Sequence, residues 1–225
     1  MDLRPVQVKQ VKLDDVIEGI SEIRTSMVIQ LIIVALSTVI LLPLYVYYGT
    51  SANFSVTGTP SQPYQNVFYV FMPLFFVIAV LFAAALVPLW FLYQGFKKLR
   101  KVGDRFSLGF FGTLITFIAL PILALAFALF FAWFPSLLST NNSSFLPFAW
   151  LFLLIVAGSL LVFAGSIMIA VAIHRIGVSY NSELVRWGSI LLIVFSLLGT
   201  IFLIIGLKEV ITDIERIKKT QVSSP

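Results

Sequence analysis

The chain has 225 residues, 60% of them hydrophobic and only 11% charged, with a mean hydropathy of +1.03. A soluble domain carries roughly 25% charged residues, so most of this chain is suited to lipid or to other apolar helices. Cysteine is absent, which excludes disulfides, thiol catalysis, iron–sulfur ligation and Cys-based zinc sites; the net charge of +5 matters through its placement.

Residues 1–25 mix acids and bases. Within them Leu13, Val16, Ile17, Ile20 and Ile23 recur at helical spacing, which predicts a cytoplasmic amphipathic helix. Five apolar segments follow, at approximately 26–48, 67–95, 108–134, 145–173 and 187–207. Each reaches the length of about 20 residues that a bilayer crossing needs. None has an ionisable residue in its interior. The first begins after a charged stretch and is longer than the apolar region of a secretory leader, so no cleaved signal peptide is expected. Pro43, Pro73, Pro88 and Pro121 fall inside spans, with kinks expected at the last three.

The connections predict the orientation. Residues 49–66 and 135–144 carry no charge, whereas 95–106 hold Lys97, Lys98, Arg100, Lys101 and Arg105 against Asp104 alone. Arg175 and Arg186 mark the next basic connection. The positive-inside rule places the N-terminus and the basic connections in the cytoplasm and the uncharged ones outside. The sequons at Asn53, Asn141 and Asn142 all fall in the outward connections, as candidate glycosylation sites. Trp90, Tyr93 and Trp187 are expected at the inner interface; Tyr45, Tyr47, Tyr48, Tyr69, Trp133 and Trp150 are expected at the outer one.

Residues 208–225 form the tail. Leu207, Val210, Ile211, Ile214 and Ile217 repeat the amphipathic spacing of the N-terminal segment. Five spans put this tail outside, although it carries Lys208, Arg216, Lys218 and Lys219. A re-entrant segment turning near Gly199 and Thr200 would return it to the cytoplasm. Each arm would then have only about 10 residues, too few to span at 1.5 Å per residue, so five full spans are expected. The predicted fold class is an all-α integral membrane protein, a five-helix bundle over 26–207 with an amphipathic helix at each end.

Lys97, Lys98, Arg100, Lys101 and Arg105 could hold anionic lipid head groups, although a topology signal alone accounts for them. The cluster is short and flush with the membrane, so nucleic acid is not an expected partner. Ala124, Ala128 and Ala132 make two small-xxx-small steps, and Gly158, Gly165 and Ala172 recur every seven residues. Small residues let helices approach closely in lipid, so these are expected to be packing seams within the chain, with subunit contact as the alternative. His174 is the sole histidine, expected as a polar anchor. No P-loop, H-E-x-x-H or G-x-S-x-G motif occurs. No catalytic residue, metal site or cofactor is expected. The polar inventory of the spans is Gln30, Ser37, Thr38, Thr113, Thr116, Ser159, Ser166, Ser189, Ser196 and Thr200. A polar cavity lined by these groups would favour transport.

Residues 180–210 read YNSELVRWGSILLIVFSLLGTIFLIIGLKEV, and residues 18–34 read EGISEIRTSMVIQLIIV. Both resemble segments of small archaeal polytopic membrane proteins assigned to a domain of unknown function. The resemblance implies an archaeal plasma membrane and brings no catalytic residues with it. The leading functional expectation is a non-catalytic structural or accessory subunit of a membrane complex, in contact with lipids and with other subunits or a second copy. The alternative is a transporter, channel or lipid-handling protein, and an intramembrane enzyme stands third.

Overall fold

The computed structural model describes residues 4–51, 63–139 and 146–223. Among them are six α-helices and no strand: α1 (Arg4–Ser51), α2 (Pro63–Val102), α3 (Ser107–Ser139), α4 (Leu146–Ser179), α5 (Glu183–Val194) and α6 (Ser196–Ser223). A 3-10 turn at Asp104–Phe106 joins α2 to α3. Helices satisfy every backbone polar group within one segment, which a hydrocarbon surrounding demands. Among the described residues, four stretches are long and apolar enough to cross a membrane: Leu13–Pro43, Ala79–Val102, Asp104–Phe130 and Ala149–Ser179.

The helices run through several boundaries that the sequence suggests. The 48 residues of α1 make a single helix, so the N-terminal amphipathic segment and the first span are continuous across residue 25. At 1.5 Å per residue α1 extends about 72 Å, more than twice a hydrocarbon core. The basic stretch after residue 95 is helical to Val102, because Lys, Leu and Arg are good helix formers. The helices also continue through Pro43, Pro73, Pro88 and Pro121.

The chain forms two compact units. Unit 1 gathers Met1–Ile32, Leu86–Phe117 and Phe163–Pro225; unit 2 gathers Ile33–Ala85 and Ile118–Val162. Unit 1 has a dense core of Ile20, Ile23, Met27, Phe96, Leu99, Phe106, Ile173, Ile176, Val185, Leu203 and Leu207, all at 0–1% exposure. The apolar positions of both amphipathic segments contribute to it: Val16, Ile20, Ile23, Val210 and Ile214 are buried, whereas Ile217 is exposed. Unit 2 buries far less. Ala119, Leu123 and Ala126 are its buried apolar residues among those described, and Phe82 meets Phe127 at 6.3 Å between ring centroids. Val39, Leu42, Phe76, Trp150 and Phe152 are exposed there, as side chains facing lipid would be.

The expected fifth span, 187–207, is not one helix. The chain leaves α5 at Phe195 (φ −133°, ψ 76°) and starts α6 at once. Contacts pair Gly188 with Leu203, Leu192 with Gly199, and Leu184 and Val185 with Gly206, so α5 and α6 form an antiparallel hairpin. A methyl group at Gly199 would collide with the backbone of Leu191 and Leu192. Glycine is therefore what lets the two arms close directly after the reversal. With 12 residues, α5 is about 18 Å long and too short to cross. A hairpin needs no crossing, because it enters and leaves by the same side. Its outcome is recorded in one ion pair: Lys218 Nζ of α6 lies 2.5 Å from Asp14 Oδ1 of α1. The tail therefore stands beside the N-terminal part of α1, whereas five full spans would set the two on opposite sides of a membrane.

In a chain without native cysteine, Lys101→Cys and Thr212→Cys, both at exposed positions, should label from the same side of sealed vesicles. Labelling from opposite sides would restore five full spans and remove the hairpin.

Candidate functional site

Most of the charge of the described residues collects in unit 1, around the ends of α1, α2, α4 and α6. The backbones of α1 and α2 nearly touch there. A methyl group at Gly95 would lie 2.6 Å from the Gly19 carbonyl oxygen, and one at Gly19 would lie 3.0 Å from that of Gly95. This close crossing brings Lys98 within reach of two acids one turn apart on α1. Its ammonium lies 2.6 Å from Glu18 Oε1 and also binds Glu22 Oε1. Lys98 and Glu22 are each 22% exposed and Glu18 is 63% exposed, so the Glu22 contact is the better shielded of the two. Below them the Ser26 hydroxyl, fully buried, donates to the Pro88 carbonyl at 2.7 Å.

The link between α4 and α5 is built from caps. Asn181 takes a left-handed conformation (φ 52°), and the Ser182 amide donates to the Gly177 carbonyl at 2.9 Å. Together these form a Schellman-type helix end, in which Asn is the usual substitute for Gly. Ser182 then serves as N-cap of α5, accepting from the Val185 amide. Arg186 fastens the turn by donating to Asn181 Oδ1 at 3.0 Å and, more weakly, to the Gly177 carbonyl. Arg175 donates to the Arg105 carbonyl at 3.0 Å, which ties the end of α4 to the α2–α3 connection. Burial pushes the Tyr180 phenol above its ordinary pKa, and the charge of Arg105 opposes that shift.

His174 lies on α4, half-buried. Its Nδ1 is 3.2 Å from Ser189 Oγ, whose own proton goes to the Arg186 carbonyl at 2.7 Å. Nδ1 also approaches the Arg186 carbonyl at 3.5 Å, so the histidine meets both a hydroxyl and a backbone carbonyl of α5. The arrangement anchors α5 against α4.

The five cations at 97–105 separate into two kinds. Lys98 is held by Glu18 and Glu22. Lys97, Arg100, Lys101 and Arg105 are exposed, and no ion pair engages them among the described residues. Lys97 sits over the Tyr93 ring at 5.8 Å, Arg100 over Phe110 at 5.0 Å and Phe111 at 5.5 Å, and Arg105 over Phe106 at 4.9 Å.

Among the small residues singled out from the sequence, Gly158, Gly165 and Ala172 are buried, while their neighbours Ala157 and Ala164 are exposed. In unit 2, Gly158 faces Leu123. In unit 1, Gly165 faces Gly112 and Thr116, and a methyl group at Gly112 would lie 2.7 Å from the Gly165 carbonyl oxygen. Ala124 and Ala128 on α3 are half-buried. The side chains of Ala132 and Trp133 on α3, Tyr45, Tyr47 and Tyr48 on α1, and Tyr69 on α2 lie outside those described. Asn53, Asn141 and Asn142 lie outside the described residues. Sequence reasoning did not single out Gly19, Gly95 and Gly112 as contacts. Their signal was available only as a glycine facing another glycine on a separate helix.

An all-helical chain with four segments fit to cross a bilayer is compatible with a multi-pass membrane protein. The family-model comparison identifies it more closely: the chain belongs to the DUF973 family, described as proteins of unknown function, whose model matches residues 16–225. No curated protein and no solved structure matches the chain.

Two substitution series test the packing and the charge cluster. Gly165→Leu should destabilise the protein in detergent by more than about 1 kcal/mol through overpacking, while the adjacent Ala164→Leu should melt like the parent. Equal melting temperatures for the two would place both positions on open surface. Lys98→Gln removes the charge that Glu22 is packed against and should cost about 1 kcal/mol or more, whereas Lys101→Gln should be neutral. A loss for Lys101→Gln as large as that for Lys98→Gln would mean that the Glu18–Glu22–Lys98 cluster contributes nothing particular.

Proposed function

We propose that this protein is a non-catalytic structural or accessory subunit of a membrane complex. The observation that carries the proposal is the disposition of the hydroxyls in the apolar helices. Ser37 and Thr38 donate to the Val34 carbonyl, Thr113 to Gly109 and Phe110, Thr116 to Gly112, Ser189 to Arg186 and Thr200 to Ser196. Each closes onto the backbone of its own preceding turn, as hydroxyls without a ligand do in apolar helices. Carriers instead keep polar or ionisable groups turned toward a pathway.

A second feature fits the same reading. From residue 28 to residue 43 no side chain of α1 is buried, although this is the most apolar part of the helix. Lipid or the spans of other subunits would cover such a surface. We place the cation-rich end of unit 1 in the cytoplasm of an archaeal cell, with both termini on that side, following the charge rule.

The test is purification of the tagged full-length chain from native membranes in a mild detergent. A reproducible stoichiometric membrane partner is expected. Recovery of the chain alone, together with solute flux in proteoliposomes that is lost on Ser189→Ala or Thr116→Val, would replace the accessory role with a transport one.

A further inference from the structure

One face of the α2–α3 corner carries an ordered series of side chains that the packing of unit 1 does not use up. Trp90, Tyr93, Lys97 and Arg100 recur at spacings of three and four along α2, so they share one stripe of that helix. Trp90 stacks with Tyr93 at 5.9 Å, Tyr93 meets Phe110 at 5.3 Å, and Phe110 meets Phe111 edge-on at 5.7 Å. Lys97 and Arg100 are seated on these rings. Trp90 and Phe111 remain about half exposed, at 51% and 47%.

Three physical features of the stripe select a ligand. The first is charge. Two adjacent cations lack a carboxylate partner among the described residues, whereas Lys98 beside them has two. The second is geometry. A guanidinium lying on aromatic faces leaves its N–H edge free, and that edge matches the oxygens of a phosphate. The third is the order along the helix. Moving from the apolar span toward its basic end, the stripe runs through exposed indole, phenol, ammonium and guanidinium. A membrane phospholipid presents its parts in the same order, from acyl chain through the glycerol region to phosphate. A free phosphate would gain nothing from the exposed Trp90 and Phe111 surfaces.

We propose that Lys97 and Arg100, seated on the Trp90–Tyr93–Phe110–Phe111 array, form a binding site for the phosphate head group of an anionic membrane lipid. The Arg100 guanidinium and the Lys97 ammonium donate to the phosphate oxygens, and Trp90 and Phe111 flank the upper part of the lipid chains. The site stands whether or not the protein has a subunit partner. It differs from a diffuse positive surface in giving no part to Lys101, an exposed cation that sits on no ring.

The experiment uses the full-length protein reconstituted with equal amounts of phosphatidylglycerol and phosphatidylcholine and then washed in detergent. Retained lipid is measured by native mass spectrometry. Preferential retention of phosphatidylglycerol is expected. Arg100→Gln and Lys97→Gln should each weaken that retention about tenfold, the loss of one charge-assisted contact. Arg100→Lys should fall between, and Lys101→Gln should match the parent. Melting temperatures in lipid-free detergent should be alike for all four variants, since every altered side chain is exposed. Should Arg100→Gln melt lower, the comparison between Arg100→Lys and the parent decides in its place. Equal retention of the two lipids, an equal loss with Lys101→Gln, or displacement of the lipid by millimolar inorganic phosphate would each overturn the proposal.

Discussion

The reversal at Phe195 is the constraint on which the rest of unit 1 depends. A helix that simply continued through residues 187–207 would carry the last part of the chain away from the charged end. The chain instead turns within one residue, and Gly199 lets α6 close on the backbone of α5. With the direction reversed, α6 brings Leu203, Leu207, Val210 and Ile214 into the core that α1 lines with Ile20 and Ile23. The polar face of α6 comes back with them, and Lys218 reaches Asp14. A tail with four cations would be costly to move across a membrane, and the hairpin removes that need.

Glycine crossings do a similar job between the long helices. Without a driving force of the aqueous kind, helices in lipid associate through close backbone contact and the van der Waals attraction it allows. Gly19 against Gly95 and Gly112 against Gly165 provide that contact in unit 1. The first crossing also sets the electrostatics. It brings α2 near enough to α1 for Lys98 to reach Glu18 and Glu22, while Lys97 and Arg100, elsewhere on α2, have no acid beside them among the described residues. The division of the basic cluster into held and free cations thus follows from where two glycines meet.

Much of this was legible in the sequence, and the limits have physical causes. The helical class and the existence of long apolar spans follow from composition and run length, because a bilayer admits few alternatives. The stripe of Gly158, Gly165 and Ala172 was visible because a repeat of seven keeps one face of a helix. Pairings such as Gly19 with Gly95 were not, since each glycine stands alone in its own segment and only the fold brings them together. The hairpin was partly visible. Gly199 and Thr200 suggested a reversal four to five residues beyond the one at Phe195, but continuous hydropathy over 187–207 outweighed them. Apolarity measures compatibility with lipid and carries no information about direction. The capped turn at Tyr180, Asn181 and Ser182 had a local signature, an Asn suited to left-handed backbone followed by an N-cap Ser.

The hydroxyls show why a polar residue in an apolar helix is weak evidence for a pathway. In hydrocarbon an unsatisfied O–H costs several kcal/mol on the order of its water-to-alkane transfer, so each must find an acceptor whether or not a ligand is present. The nearest acceptor is nearly always the carbonyl three or four residues back, and Thr113, Thr116 and Thr200 take it. Ser26 is the exception among them. Its bond crosses from α1 to the Pro88 carbonyl of α2, close to the Gly19–Gly95 contact. It is buried and joins two helices, so it acts as part of the crossing and not as the lining of a route. The hydroxyls of unit 1 therefore mostly satisfy themselves on their own helix, Ser26 fixes α1 against α2, and neither leaves a polar group turned toward a route.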